Sequence, residues 1–418
     1  MTIKIKIISM TKMRPQQIVV TVGSYFFRIL KNYYIHYFRF NLSDDEISEL
    51  TAICFPMTFF FDVKSKEEIC SCIQSLDESS IEKVLSDSKK ICQHRFNLLG
   101  SELTNLGSKI NWNSDFKSGF KWNPRQAFLR QTSYIDLNDG IDVKVPWELS
   151  RFQHLITLGK AYWYTNDNIY LDEFLCEMDD WIDQNPIDYG INWVSTMDVA
   201  IRAINWIWAF YFFSVSTIAN REFKLKFLRN LFLHGKYIIN NLENESRGNH
   251  YLSNISGLIY LGIFFKETKE GQIWLEKGIA ALLQEMEYQI YPDGTSYEGS
   301  IGYHRLVTEI FVSSTLICMK NNIKFPESYL NRLEKMIEFI MYYTKPDGYA
   351  PQIGDNDDGR LHILANYGNW NRIDHRYLIS IGAVLFKRYD FKEFSGKFHE
   401  EALWLLGREG LQIYKDIR

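Results

Sequence analysis

The sequence predicts an all-α fold: antiparallel helix hairpins set side by side as an incomplete or complete (α/α) toroid. Three observations predict it. Apolar residues recur at spacings of three and four through most of the chain after residue 80. The breaks between these periodic segments are short and carry turn chemistry. No fixed-length repeat is present, which favours a ring of hairpins over a simple solenoid. With 418 residues there is room for two or three domains, but no linker or low-complexity stretch divides the chain after residue 80. The organisation read from this is an N-terminal basic arm and small helical region over 1–79, then one toroid over 80–418.

The first part, 1–79, is looser and basic at its start. Lys4, Lys6, Lys12, Arg14, Arg28, Lys31 and Arg39 all precede the first acidic residue, Asp44. Its longest apolar stretch, 18–27, is short and holds Thr21, Gly23 and Ser24, so no cleavable signal is expected. That favours a cytoplasmic location, with periplasm or cell envelope as the alternative. A helix follows over 80–99. The segment 100–146 then loses helical period and is rich in Asn, Asp, Trp and Gly; it is expected to lie across a cleft. Helices are predicted over 147–164 and 167–184, the latter stopped by Asn185-Pro186. In 196–216, Val199, Ala200, Ala203, Ile204, Ile207 and Trp208 mark one apolar face. Helices over 221–242, 250–266 and 270–290 lead to the turn Pro292-Asp293-Gly294. Those over 302–320 and 326–344 lead to Pro346-Asp347-Gly348, and Asp358-Gly359 precedes the last two, 374–388 and 397–405.

Composition narrows the function classes. There are 47 basic and 51 acidic residues, a net charge of −4, so no global basic field favours nucleic acid. No run of ~18 apolar residues predicts a transmembrane helix. The six cysteines (54, 70, 72, 92, 176 and 318) have no zinc spacing and are read as mostly buried thiols. P-loop, Rossmann glycine, HExxH and GxSxG patterns are absent. Neither a cofactor nor a metal is called for. Aromatics make up 16% of the chain, and besides filling a core they stack on sugar rings; Trp112, Trp122, Trp147, Trp193 and Tyr303 fall in or beside motif loops and are the sugar-facing candidates.

Five constellations carry chemistry. Arg247-Gly248-Asn249-His250-Tyr251-Leu252-Ser253-Asn254 opens a helix; Asn249 is placed to cap it, and Asn249 with His250 also suits a carboxylate at a helix N-terminus. Asp293 to Arg305 is a Gly-rich loop whose helix starts with Tyr303, His304 and Arg305; a cation beside Tyr303 would lower its phenol pKa and make it a base. The run 346–360 superficially suggests a calcium loop but lacks the EF-hand pattern, so its acids are expected to fix Arg360 or nearby histidines. Glu148, Arg151 and His154 are spaced to share one helix face. In Asn192 to Arg202, Ser195 or Thr196 is placed to cap the next helix and Trp193 is a candidate sugar platform.

Together these stretches resemble the heparinase II/III family and, in architecture, alginate lyases. The residues that carry the likeness are Lys144 to Arg151, Asn192-Trp193 with Met197 to Trp206, Gly248 to Asn254, Asp293-Gly294 with Tyr297-Glu298 and Tyr303-His304-Arg305, and Ile353-Gly354-Asp355 through Arg360. The likeness runs from about residue 90 to the C-terminus. It implies a polysaccharide lyase that cleaves uronic-acid polymers by β-elimination. On the matching positions it implies that Asn249 neutralises the uronate carboxylate, that His250 assists, and that Tyr303 is base, acid or both. Trp147, Glu148, Arg151, His154, Asn192, Trp193, Arg202, Glu298, His304, Arg305 and Arg360 are the expected substrate-binding set. The family also implies a β-sandwich after the toroid, contributing a histidine; this sequence ends at Arg418, so the expectation is a truncated chain, a partner β-sandwich chain, or lost activity. Two other readings remain: a non-catalytic glycan-binding or polysaccharide-assembly protein, and a glycoside hydrolase using Glu298 and Asp357 ~6–9 Å apart.

Overall fold

The computed structural model describes residues 40, 42, 46, 50, 57–126, 140–245 and 247–418. The basic arm, the 18–27 stretch and Cys54 lie outside the described residues. Fourteen α-helices form among the described ones. They are α1 (Lys66–Leu76), α2 (Ser80–Ile91), α3 (Lys144–Ser150), α4 (His154–Thr165), α5 (Ile169–Gln184), α6 (Thr196–Ala219) and α7 (Arg221–Asn240). Then come α8 (Asn249–Phe264), α9 (Lys269–Gln289), α10 (Ile301–Lys320), α11 (Glu327–Tyr343), α12 (Arg376–Phe386), α13 (Tyr389–Ser395) and α14 (Glu400–Asp416). No described helix is long and apolar enough to cross a membrane.

Inner and outer helices alternate along the chain, as hairpins of a toroid require. The inner helices α6, α8 and α10 are buried on nearly every side, which matches their all-round apolar sequence. The outer helices α5, α7, α9 and α11 bury one face each. α4 packs on α6, α6 on α8 and α8 on α10, and the N-termini of α6, α8 and α10 come to one rim. α14 packs on α12 and α1. Buried Lys160 of α4 donates to Glu400 at the head of α14 at 2.5 Å, tying the first inner helix to the C-terminal helix.

Packing explains where the structure departs from the predicted helices. The helix expected over 147–164 is two, because Phe152 sits at φ +57. Its ring is fully enclosed against Trp112, Trp181 and Trp206, and that burial turns the chain between α3 and α4. The helix expected over 80–99 stops at Ile91, after which His94 adopts positive φ and leads into an antiparallel ribbon, Arg95–Phe96 with Thr104–Asn105, whose connection holds Leu99, also at positive φ. A second ribbon pairs Ser114–Asp115 with Phe120–Lys121. α13 and the far half of α14, beyond a kink at Gly407, were not expected.

Residues just ahead of 80 belong to the core. Phe59, Phe60 and Phe61 insert among Trp163, Trp208, Tyr211, Phe212, Tyr260 and Trp404. Each such buried ring contributes roughly 1.5–3 kcal/mol of transfer free energy. The cysteines are less buried than expected: Cys318 is buried, Cys70, Cys72 and Cys92 are half-buried, and Cys176 is exposed.

Candidate active site

Three inner-helix N-termini meet at the rim. At α6, the Asp198 amide donates to Ser195 Oγ (3.4 Å) and the Met197 amide to Glu243 Oε2 (2.9 Å). At α8 the cap position is Gly248, not Asn249; Asn249 is the first helical residue. Its amide N donates to Glu298 Oε1 (2.7 Å) and its Nδ2 to Glu298 Oε2 (2.8 Å). At α10, Ser300 Oγ accepts from the Tyr303 amide (3.2 Å). Carboxylates therefore sit at two of three positive helix ends, the location where an anion gains most.

Glu243 organises His250. Its Oε1 lies 3.1 Å from His250 Nδ1, while its Oε2 accepts from Asn254 Nδ2 at 3.0 Å. A carboxylate only accepts, so the ring proton faces Glu243 and Nε2 is left for other partners. The His250 side chain is 45% exposed, accessible from the rim. Burial works to lower its pKa, but the Glu243 hydrogen bond and charge, with Asp198, outweigh burial and hold it above the ordinary value.

Tyr303 is half-buried, and its environment reverses the expectation. Burial raises its phenol pKa, and Asp357, Asp355 and Glu298 raise it further; its hydroxyl donates to Asp355 Oδ2 at 3.4 Å. The cations beside it in sequence point elsewhere. His304 is buried, donates to the Met336 carbonyl (3.1 Å) and is pushed down to about 4 by burial, so it is neutral. Arg305 donates to the Gly359 carbonyl (2.6 Å) and pairs with Glu309 (3.3 Å). A helix turn that presents Tyr303 to the rim must turn its next two residues inward.

The acids of the 353–360 loop are each answered. Asp357 pairs with Lys144 (3.4 Å) and Asp358 with Arg372 (2.8 Å). Arg360 is fixed by Glu309 of α10 (2.5 Å) rather than by the loop's own acids. Arg151 pairs with Glu148 and with Asp198, both at 2.6 Å, and its charge reaches His250 and Asp357. Asn249, His250, Tyr303, Glu298, Glu148 and Arg151 are thereby brought together.

The remaining expected site residues are not at the rim. His154 pairs with Glu177 (2.6 Å) in the interior, because the Phe152 turn separates it from Glu148 and Arg151. Asn192 is enclosed and donates to the Trp112 carbonyl (2.7 Å). Trp193 is 1% exposed, so it offers no sugar platform. Arg202 lies between the Trp181 and Trp193 rings, at 4.4 and 5.0 Å, and burial holds its pKa down to about 9. Trp112 and Trp122 are buried as well, whereas Trp147 is half-buried and donates to the Ile191 carbonyl (2.9 Å). Sequence reasoning missed Asp198, Glu243, Asp355 and Lys144 as site residues. Asp198 and Asp355 stood inside quoted motifs, but Glu243 lies in a polar loop with no spacing to mark it.

Similarity to known proteins agrees with this architecture. A heparin-sulfate lyase of Bacteroides stercoris is 28% identical over 255 residues, covering 56% of this chain and 38% of that protein. One from Pedobacter heparinus is 27% identical over 240 residues, covering 56% and 36%. The chain thus spans less than two fifths of the length of these relatives. The crystal structure of heparan sulfate lyase HepC from Pedobacter heparinus shares the fold, with a TM-score of 0.54 at 23% identity over 75% of this chain and 45% of that one. The model of the heparinase II/III N-terminus matches residues 57–375, and the chain belongs to the heparinase II/III family.

Proposed function

We propose that this toroid carries polysaccharide lyase chemistry, cleaving a uronic-acid-containing polymer by β-elimination. The observation that supports it is the meeting of Asn249 and His250 at the head of α8 with Tyr303 at the head of α10, where Glu298, held by Asn249, also acts on the Tyr303 phenol through its charge. The C5 proton of a uronate is weakly acidic, and its removal places charge on the carboxylate. Donors fixed at that carboxylate stabilise the developing aci-carboxylate. The second Nδ2 proton of Asn249 supplies such a donor. His250, with Nδ1 committed to Glu243, offers Nε2 as the base. Tyr303, kept protonated by burial and three carboxylates, fits the acid that returns a proton to O4. The matched relatives are heparin-sulfate lyases, so heparan-type polymer is the first substrate to test.

The hydrolase reading is weaker. Both oxygens of Glu298 are taken by Asn249. Burial works to raise the Asp357 pKa, but Lys144 and Arg151 outweigh it and hold Asp357 below the usual range, which is unsuited to a proton donor.

The test is the ultraviolet absorbance of unsaturated product on heparan sulfate, heparin, hyaluronan and alginate. Tyr303→Phe is expected to lower turnover by ~10²–10⁴ while polymer binding persists. Full elimination activity in Tyr303→Phe, or no unsaturated product from any polymer, overturns the reading. Binding without turnover selects the glycan-binding alternative.

A further inference from the structure

We propose that His94, Glu173 and Glu177 form a structural site for a zinc-class divalent cation, apart from the candidate active site. One ligating atom from each lies within 4.8 Å of the other two. His94 Nε2 and Glu173 Oε1 are 2.9 Å apart, a hydrogen-bond distance that must open to the ~3.3 Å two ligands subtend on a tetrahedral zinc with bonds near 2.0–2.1 Å. Glu173 and Glu177 are four apart on α5 and share a face.

Two features say that the cluster is built to receive a cation. His94 Nδ1 lies 2.6 Å from the Gly107 carbonyl, which only accepts, so Nδ1 carries a proton. Nε2 is then the ring atom that faces Glu173, bridged to it by a proton in the metal-free chain, where that hydrogen bond raises the His94 pKa to about 9; a bound cation would take that proton's place. Backbone-held imidazole of this kind is how a metal-binding histidine is oriented. The second feature is Glu177, only 2% exposed. His154 holds its Oε2 at 2.6 Å, while Oε1 is enclosed without a hydrogen-bond partner. A proton between His94 and Glu173 does not reach that oxygen; without metal it is served only by a second proton on Glu173, whose pKa burial and Glu177 raise. A metal ion bound by all three groups serves it. His94 and Glu173 keep 14% side-chain exposure, enough for a water as fourth ligand.

The imidazole and the small ligand number select zinc over calcium, which takes 6–8 oxygens. Bound there, the ion ties the 95–105 ribbon to α5. Through His154 it also steadies the turn that carries Arg151. The ligands are too far apart in sequence, 94 against 173 and 177, to form a recognisable motif.

The test uses the full chain, treated with chelator and titrated with zinc chloride by calorimetry, with thermal unfolding in parallel. One zinc per chain and a raised Tm are expected, with calcium chloride giving neither. His94→Ala and Glu177→Gln should abolish binding, and His154→Gln should weaken it ~10–100-fold. Circular dichroism establishes that the variants fold, and the parent titration stands alone if they do not. Absence of stoichiometric zinc binding overturns the site, as does equal calcium binding or zinc binding unchanged in both folded variants.

Discussion

His250 shows how one neighbour sets a residue's chemistry. Burial alone would lower its pKa, yet the Glu243 contact raises it above 6.5. A raised folded pKa means that protonated His250 stabilises the protein fully below ~6.5, and this contribution is lost as pH rises through the folded value. Glu243→Gln removes the charge while keeping the side chain's size, so the His250 midpoint should move to lower pH. Nuclear magnetic resonance titration of the ring reads it directly, and an unmoved or higher midpoint would refute the Glu243 assignment. If His250 is the base, the acid limb of kcat/KM should shift the same way. Glu309 makes a second residue-scale case. It is buried and accepts from Arg360 Nε (2.5 Å), Arg305 (3.3 Å) and the Tyr377 hydroxyl (2.5 Å). Glu309→Ala leaves two buried guanidinium groups short of a counter-charge, at a cost of about 3–5 kcal/mol. Urea unfolding checks it; a loss under 1 kcal/mol would mean that Arg360 and Arg305 find other partners.

Among elements, the periodic helices were legible and the chain's reversals were not. The span 196–216 reads as a helix because its apolar residues recur at three and four, and α6 covers it. The break at Phe152 left no such trace: no glycine or proline marks it, and a tertiary nest of tryptophans imposes the positive φ. The same nest explains the aromatic misreading. Trp112 and Trp193 looked available to sugar because they sit in polar stretches, but polar neighbours do not stop a ring from turning inward. Motif residues at helix starts, Asn249 and Tyr303, were findable because helix ends have sequence signatures. Glu243, the carboxylate partner of His250, and Asp355, the partner of Tyr303, come from loops whose positions depend on the whole fold. Inner and outer helices also touch closely enough to test. A Cβ on Gly262 of α8 would meet the Leu275 backbone N of α9 at 2.5 Å. Gly262→Ala should therefore cost about 1–3 kcal/mol despite alanine's better helix propensity. Thermal unfolding measures it, and a neutral or stabilising result would mean that the two helices slide apart freely.

At the scale of the molecule, the rim is defined only if the inner helices hold their places, and that depends on how the first of them meets the C-terminal helix. Lys160 and Glu400 make this junction, with Lys160 also donating to the Leu364 carbonyl and Glu400 accepting from Ser80 Oγ (2.7 Å) and Trp404 Nε1 (3.0 Å). Burial works to raise the Glu400 pKa, but Lys160 and these donors outweigh it and the carboxyl ends below 4.5. A depressed folded pKa gives stability that is present above ~4.5 and lost as pH falls through the folded value. Lys160→Met removes the cation and leaves a buried carboxylate, so the loss should be about 3–5 kcal/mol near neutral pH and shrink toward pH 4 as Glu400 protonates. Glu400→Gln in the same chain should recover much of that loss, because a neutral amide needs no counter-charge there. The double-mutant cycle, measured by denaturant unfolding at pH 7 and pH 4, distinguishes a charged clasp from simple packing. Additive losses at both pH values would show that the ring closes through its apolar contacts alone.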